Sequence, residues 1–180
     1  MTERDDTGLD PTLIRRADRL DQVNRTVGNL ICWCAAAMVL LQFMVVVLRY
    51  VFGISFIFLD EGVLYLHGAL FMLGAGYTLL VQGHVRVDIF FSRWSAGGQA
   101  RLNLVGHLLF LLPAMTTLLV ISLPSVRRSW AILEGPISVG GIPASFLLKS
   151  LIPAFCVLVI IQGLSCLCRD WVRFRTAVRP

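Results

Sequence analysis

The 180-residue chain is 57% hydrophobic and 15% charged, a balance that excludes a disordered protein and an ordinary water-soluble domain. Its 16 Lys and Arg against 11 acids give a formal charge of +5, which reads as membrane topology and lipid-headgroup contact and not as nucleic-acid binding. Four runs free of Asp, Glu, Lys and Arg, at 27–48, 62–81, 102–123 and 150–168, fill nearly half of the sequence. About 20 helical residues cross a ~30 Å hydrocarbon core, and a span must satisfy its backbone polar groups internally. The expected fold is therefore all-α: an integral membrane protein of four transmembrane helices with short amphipathic interfacial helices, and too little chain outside the bilayer for a soluble domain.

Residues 1–26 read as a cytoplasmic N-terminal segment. Asp10 is placed to cap a helix, Pro11 suits its first position, and Leu13, Ala17, Leu20 and Val27 recur at helical spacing. The opposite face carries Arg15, Arg16, Arg19, Asp18 and Asp21, which suits a helix lying on the membrane surface. The first apolar run starts only at Val27 and lacks a cleavage site, so it is expected to stay as transmembrane helix 1 over 27–48.

Residues 49–61 are too apolar for an ordinary loop and too short for a span. They read as a periplasmic interfacial segment, with Tyr50, Phe52, Phe56 and Phe58 at the headgroup boundary, Gly53 at a bend and Arg49 near phosphates. Asp60 and Glu61 open the second helix, 62–81, where a carboxylate can cap free N–H groups and meet the positive end of the dipole. A salt bridge from these acids to a partner subunit is the sharper alternative. Within the second helix Gly68, Ala69, Gly74, Ala75 and Gly76 permit close helix approach.

The cytoplasmic loop 82–101 contains Gln82-Gly83-His84-Val85-Arg86-Val87-Asp88, read as the lead into a short surface helix capped by Asp88. Helix 3, 102–123, and helix 4, 146–168, contain Pro113 and Pro153, where bends are expected. Between them 124–145 reads as a periplasmic loop, with Lys149 close enough to the helix 4 start to extend its ammonium outward. Residues 169–180 form a cytoplasmic tail. Arg4, Arg15, Arg16, Arg19, Arg25, Arg169, Arg173, Arg175 and Arg179 crowd the two tails. With an even number of spans, they place both termini in the cytoplasm.

Polar residues within the spans, Gln42, His67, Tyr77, Asn103, His107, Thr116, Thr117, Ser122 and Gln162, read as interhelical hydrogen-bonding groups. A haem held by His67 and His107, as in a redox membrane anchor, is disfavoured because the two lie ~7.5 Å from opposite faces, ~15 Å apart in depth. The five cysteines, Cys32, Cys34, Cys156, Cys166 and Cys168, all fall in spans. They imply neither a structural disulfide nor a zinc site. No nucleophile sits beside a base and no phosphate loop is present, so no catalytic residue, cofactor or metal is expected. A self-sufficient small exporter is disfavoured by the lack of a membrane-buried acid, repeated halves or broken-helix pairs.

In order, Arg49-Tyr50-Val51-Phe52-Gly53, Asp60-Glu61, Gly74 and Gly76, then His84-Val85-Arg86-Val87-Asp88 resemble the small, Q-type membrane subunit of tripartite ATP-independent periplasmic (TRAP) transporters. Ser129-Trp130-Ala131-Ile132-Leu133-Glu134-Gly135 and Gly140-Gly141-Ile142-Pro143 look like the branch labelled for mannitol or chloroaromatic compounds. The resemblance covers roughly 20–170. It implies a non-enzymatic, accessory subunit of the bacterial inner membrane. Its implied partners are a large membrane subunit, which carries the substrate and sodium sites, and a periplasmic solute-binding protein that delivers an organic acid. Arg49, Asp60, Glu61, Arg86 and Asp88 are the candidate partner-interface or structural residues.

Overall fold

A computed structural model describes residues 11–83, 94 and 96–178. Helix α1 is Pro11–Val51, α2 is Ile57–Leu80, α3 is Ala96–Val105, α4 is Leu112–Ala131 and α5 is Ser145–Val178, with a π-helical segment at Gly106–Leu111 joining α3 to α4. The described residues contain no strand. Four stretches are long and apolar enough to cross a membrane: Thr12–Val51, Ile57–Leu80, Gly97–Ala131 and Ser145–Arg175.

These helices run well past the charge-free runs. At ~1.5 Å per residue, the 41 residues of α1 measure roughly 60 Å, twice a ~30 Å hydrocarbon core. The stretch expected as a separate amphipathic helix is therefore the first part of α1, continuous with the span. Its proposed cap, Asp10, lies outside the described residues. The expected outer loop is shortened as well: helix continues through Pro124 to Ala131, leaving 132–144 to connect to α5. Charge marks where lipid contact stops, whereas helical hydrogen bonding continues for as long as a neighbouring helix covers it.

Local chemistry accounts for the interruptions. Gly53 takes φ +68°, a backbone conformation that costs a side-chain-bearing residue energy, and the Ile54 N–H donates to the Leu48 carbonyl at 2.9 Å to close the end of α1. Pro113 has no N–H and its ring crowds the carbonyl four residues back. The chain answers with the wider π turn, in which the Leu112 N–H donates to the His107 carbonyl. Pro153 lies inside α5, which remains helical on both sides.

Helix α5 packs against α1, α2, α3, the π segment and α4, and α1 packs along α2. The core consequently follows α5: Cys156, Leu158, Val159, Gln162, Ser165, Asp170 and Val172 are all buried. Large apolar side chains elsewhere, including Trp33, Leu40, Phe43, Phe71, Phe110 and Ile121, face outward. In water such a surface would be untenable, and in lipid it is the expected exterior.

Candidate functional site: a loop clasp and a polar knot near the termini

At the end of the bundle away from the termini, Asp60 sits in the first turn of α2. Arg49, at the end of α1, donates from Nη2 to both carboxylate oxygens of Asp60, at 3.1 and 2.8 Å, and to Ser55 Oγ at 3.3 Å. The pair bridges the turn Phe52–Phe56 and is about half exposed on both sides. No side chain caps α2 at Phe56. Asp60 thus retains its expected place near the helix dipole, but its hydrogen bonds go to Arg49.

Glu61 points the other way and is buried. Its carboxylate accepts the backbone N–H of Ser138 at 3.0 Å and that of Ile142 at 2.7 Å, both in the 132–144 connection. Gly141 has no side chain because there is no room for one: a Cβ there would overlap the Glu61 carboxylate. Gly140 supplies the left-handed turn at φ +84°. A helix-borne acid therefore holds a loop that follows it by 77 to 81 residues.

The same loop is fastened to α5. Lys149 Nζ donates to Glu134 at 2.7 and 2.5 Å, and Ser129 donates to Glu134 as well. These donors, Lys149 first, hold the Glu134 carboxyl below its ordinary 4.5. Lys149 is thus paired within the chain, its ammonium extended from α5 to Glu134 of the loop. Ser145 Oγ donates to the Gly135 carbonyl at 2.5 Å, Trp130 Nε1 donates to Ser150 Oγ at 2.8 Å, and Trp130 meets Phe146 edge-on at 4.7 Å between ring centres. With so many anchors behind it, the loop presents Ile132, Leu133, Ile137 and Val139 outward, Val139 at 94% exposure.

Near the termini, α1, α2 and α5 share a second polar assembly. Asn24, fully buried, donates from Nδ2 to the Leu158 carbonyl at 3.2 Å and to Gln162 Oε1 at 3.0 Å. Gln162 Nε2 donates to Asp21 Oδ1 at 2.9 Å, and Ser165 donates to the same oxygen at 2.5 Å. Arg169 donates to Asp21 at 2.5 Å and to Asp18 at 2.7 Å. A Cβ on Gly76 of α2 would run into Asn24 Oδ1, so that glycine lets the assembly close. Farther along α5, His107 Nδ1 lies 3.4 Å from Asp170 Oδ2 without forming a hydrogen bond.

Sequence reading missed most of this assembly. It assigned Asp21 to the polar face of a surface helix, whereas Asp21 is 5% exposed and faces α5. The available clue was polar spacing on both helices: Asp21 and Asn24 on α1, Gln162, Ser165 and Arg169 on α5, each set along one helical face. Gln162 does make the interhelical bonds expected of it. By contrast, Ser122 bonds its own helix at the Leu119 carbonyl, and His67 stacks on Phe71. Arg86 and Asp88, with the rest of the surface helix expected there, lie outside the described residues. Among the described residues, no group of three or more His, Cys, Asp or Glu is placed to hold a metal ion.

Comparison with protein families matches residues 38–173 to the family described as tripartite ATP-independent periplasmic transporters, DctQ component. Comparisons with curated proteins and with solved structures give no match.

Proposed function

The chain belongs to the DctQ family of TRAP transporter components, and we propose that it is the accessory membrane subunit that supports a large transport subunit in uptake of an organic acid. The observation that carries this reading is the placement of charge. From 62 to 81, from 102 to 126 and from 150 to 168 there is no Asp, Glu, Lys or Arg, so a charged solute and its coupling ion would find no ionic partner at mid-membrane. Helices of this kind brace a moving partner better than they carry cargo. Sodium coupling and solute choice then belong to the large subunit and to a periplasmic solute-binding protein, with the chain in the bacterial inner membrane and both termini in the cytoplasm.

In this reading the outer clasp has a definite task. Glu61, Glu134 and Lys149 fix the 132–144 loop from behind, which supports a role for its exposed face in meeting the binding protein or the large subunit. Asp60 and Arg49 already satisfy each other yet remain half exposed, and that pair can add charge complementarity at the rim of the same face. Arg86 and Asp88 are proposed to serve assembly on the cytoplasmic side. The test is purification of the chain from native membranes in mild detergent. A larger multi-span membrane protein should accompany it in fixed ratio, and recovery of the chain alone even after membrane cross-linking would sink the proposal.

A further inference from the structure

A groove of about 730 Å³ opens between α1 and α2, floored partly by Phe155 of α5 and lined by Gly28, Cys32, Leu70, Gly74 and Thr78 among others. It lies in the half of the bundle nearest the termini, from Leu70 past the end of α2 to Gly83, and the roughly 15 Å of helix from Leu70 to Leu80 matches one ~15 Å leaflet. The small residues of the other half of α2 are already covered by this chain. A Cβ on Gly62 would meet Leu41 at 3.0 Å, and one on Gly68 would meet Leu148 and Leu151 at 3.1 and 3.3 Å. At Gly74 nothing lies within 4 Å.

That geometry favours a lipid chain over a protein helix, because a partner helix crossing the bilayer needs a seam along the whole span, whereas an acyl chain needs one leaflet of it. Lipid tails already surround the protein, so apolar contact alone would not make the groove a site. The distinguishing group is Arg25. It is exposed, sits one turn before Gly28 and two turns before Cys32, and so lines up with the groove on the side toward the termini. The acids nearest to it on α1, Asp18 and Asp21, are taken by Arg169. Among the described residues no acid pairs with Arg25, and its guanidinium offers paired donors to a phosphate. The neighbouring Arg15, Arg16 and Arg19 add positive potential that favours an anionic headgroup.

We propose that the α1–α2 groove holds one acyl chain of an anionic phospholipid of the leaflet on the terminal side, with its phosphate bound by Arg25. The experiment titrates the purified chain in detergent with phosphatidylglycerol or with phosphatidylcholine of the same acyl chains, and reads the thermal midpoint. Phosphatidylglycerol should raise the midpoint more than phosphatidylcholine, Arg25→Gln should erase that difference, and Gly74→Leu should remove the response to both lipids.

Labelling of Cys32 by a maleimide, with the other four cysteines replaced by alanine, gives a readout that does not depend on the Gly74 variant folding. Phosphatidylglycerol should slow it. An unchanged labelling rate at saturating lipid overturns the site, as does a wild-type lipid response in folded Gly74→Leu. If that variant keeps the lipid response but loses a copurifying membrane protein, the groove belongs to a protein helix and the proposal is wrong.

Discussion

Glu61 and Ile142 are 81 positions apart in sequence, yet the Glu61 carboxylate accepts the Ile142 backbone N–H at 2.7 Å. The bond ties the start of α2 to the loop between α4 and α5, and Ser138 doubles it from the other side of the turn. A fully buried backbone donor left without an acceptor costs about 1–3 kcal/mol, and both of these bonds are only partly buried. Glu61→Ala should therefore destabilise the chain by up to about that amount for each donor, and Glu61→Gln, which keeps one acceptor oxygen, by less. Amide hydrogen exchange checks the cause: Ser138 and Ile142 should lose protection in Glu61→Ala while the amides of mid-α5 keep theirs.

Two glycines only two residues apart on α2 should behave oppositely. Gly76→Ala forces a Cβ against buried Asn24 and within 3.2 Å of the Leu158 Cβ. It is expected to lower stability by roughly 1–3 kcal/mol through overpacking. Gly74→Ala meets open space and gains up to about 1 kcal/mol of helix propensity. Thermal unfolding in the same detergent compares them directly, and equal losses at both sites would contradict the packing described here.

Acid should loosen the 132–144 loop in a defined range. Lys149 and Ser129 hold the Glu134 carboxyl below its ordinary 4.5. A lowered folded value means that the stabilisation is fully present above 4.5 and is lost as the pH falls from there through the folded value. Wild type should consequently lose stability on acidification below 4.5 more steeply than Lys149→Met, in which Glu134 titrates closer to its usual value. Parallel acid profiles for the two proteins would show that the ion pair contributes nothing.

The parts of the fold that were legible in the sequence are those that lipid enforces. A span needs an unbroken apolar run, so the four helices could be read from where charge is missing, and the Gly53 turn could be read from a glycine placed between them. Helix ends were not legible, since α1 continues into charged sequence once α5 covers it with Gln162, Ser165 and Arg169. Asp21 was assigned to the wrong face because an amphipathic pattern ordinarily puts acids in water. Here the facing helix carries matching donors, which only the pairing of α1 with α5 reveals. The partner of Glu61 left almost no trace, because backbone N–H groups have no residue identity; Gly141 is the one position where the contact constrains the sequence.

The orientation of the clasp is open to a direct check. In a cysteine-free background, Ser138→Cys should react in intact cells with a membrane-impermeant thiol reagent, while Arg15→Cys should react only after the cells are opened. The motive is the crowding of arginines in both tails. Strong labelling of the tail position in intact cells, with Ser138→Cys silent, would invert the topology and place the 132–144 loop in the cytoplasm.

The central claim is that this chain supports transport without performing it. The decisive measurement is uptake of a radiolabelled organic acid, one that the whole system transports in cells, into sealed proteoliposomes under an inward sodium gradient. Vesicles containing the chain alone, with the solute-binding protein added outside, should take up no more than empty vesicles. Adding the large subunit should produce uptake, and omitting only this chain should abolish it. Uptake by the chain alone, or undiminished uptake by the large subunit without it, would contradict the account.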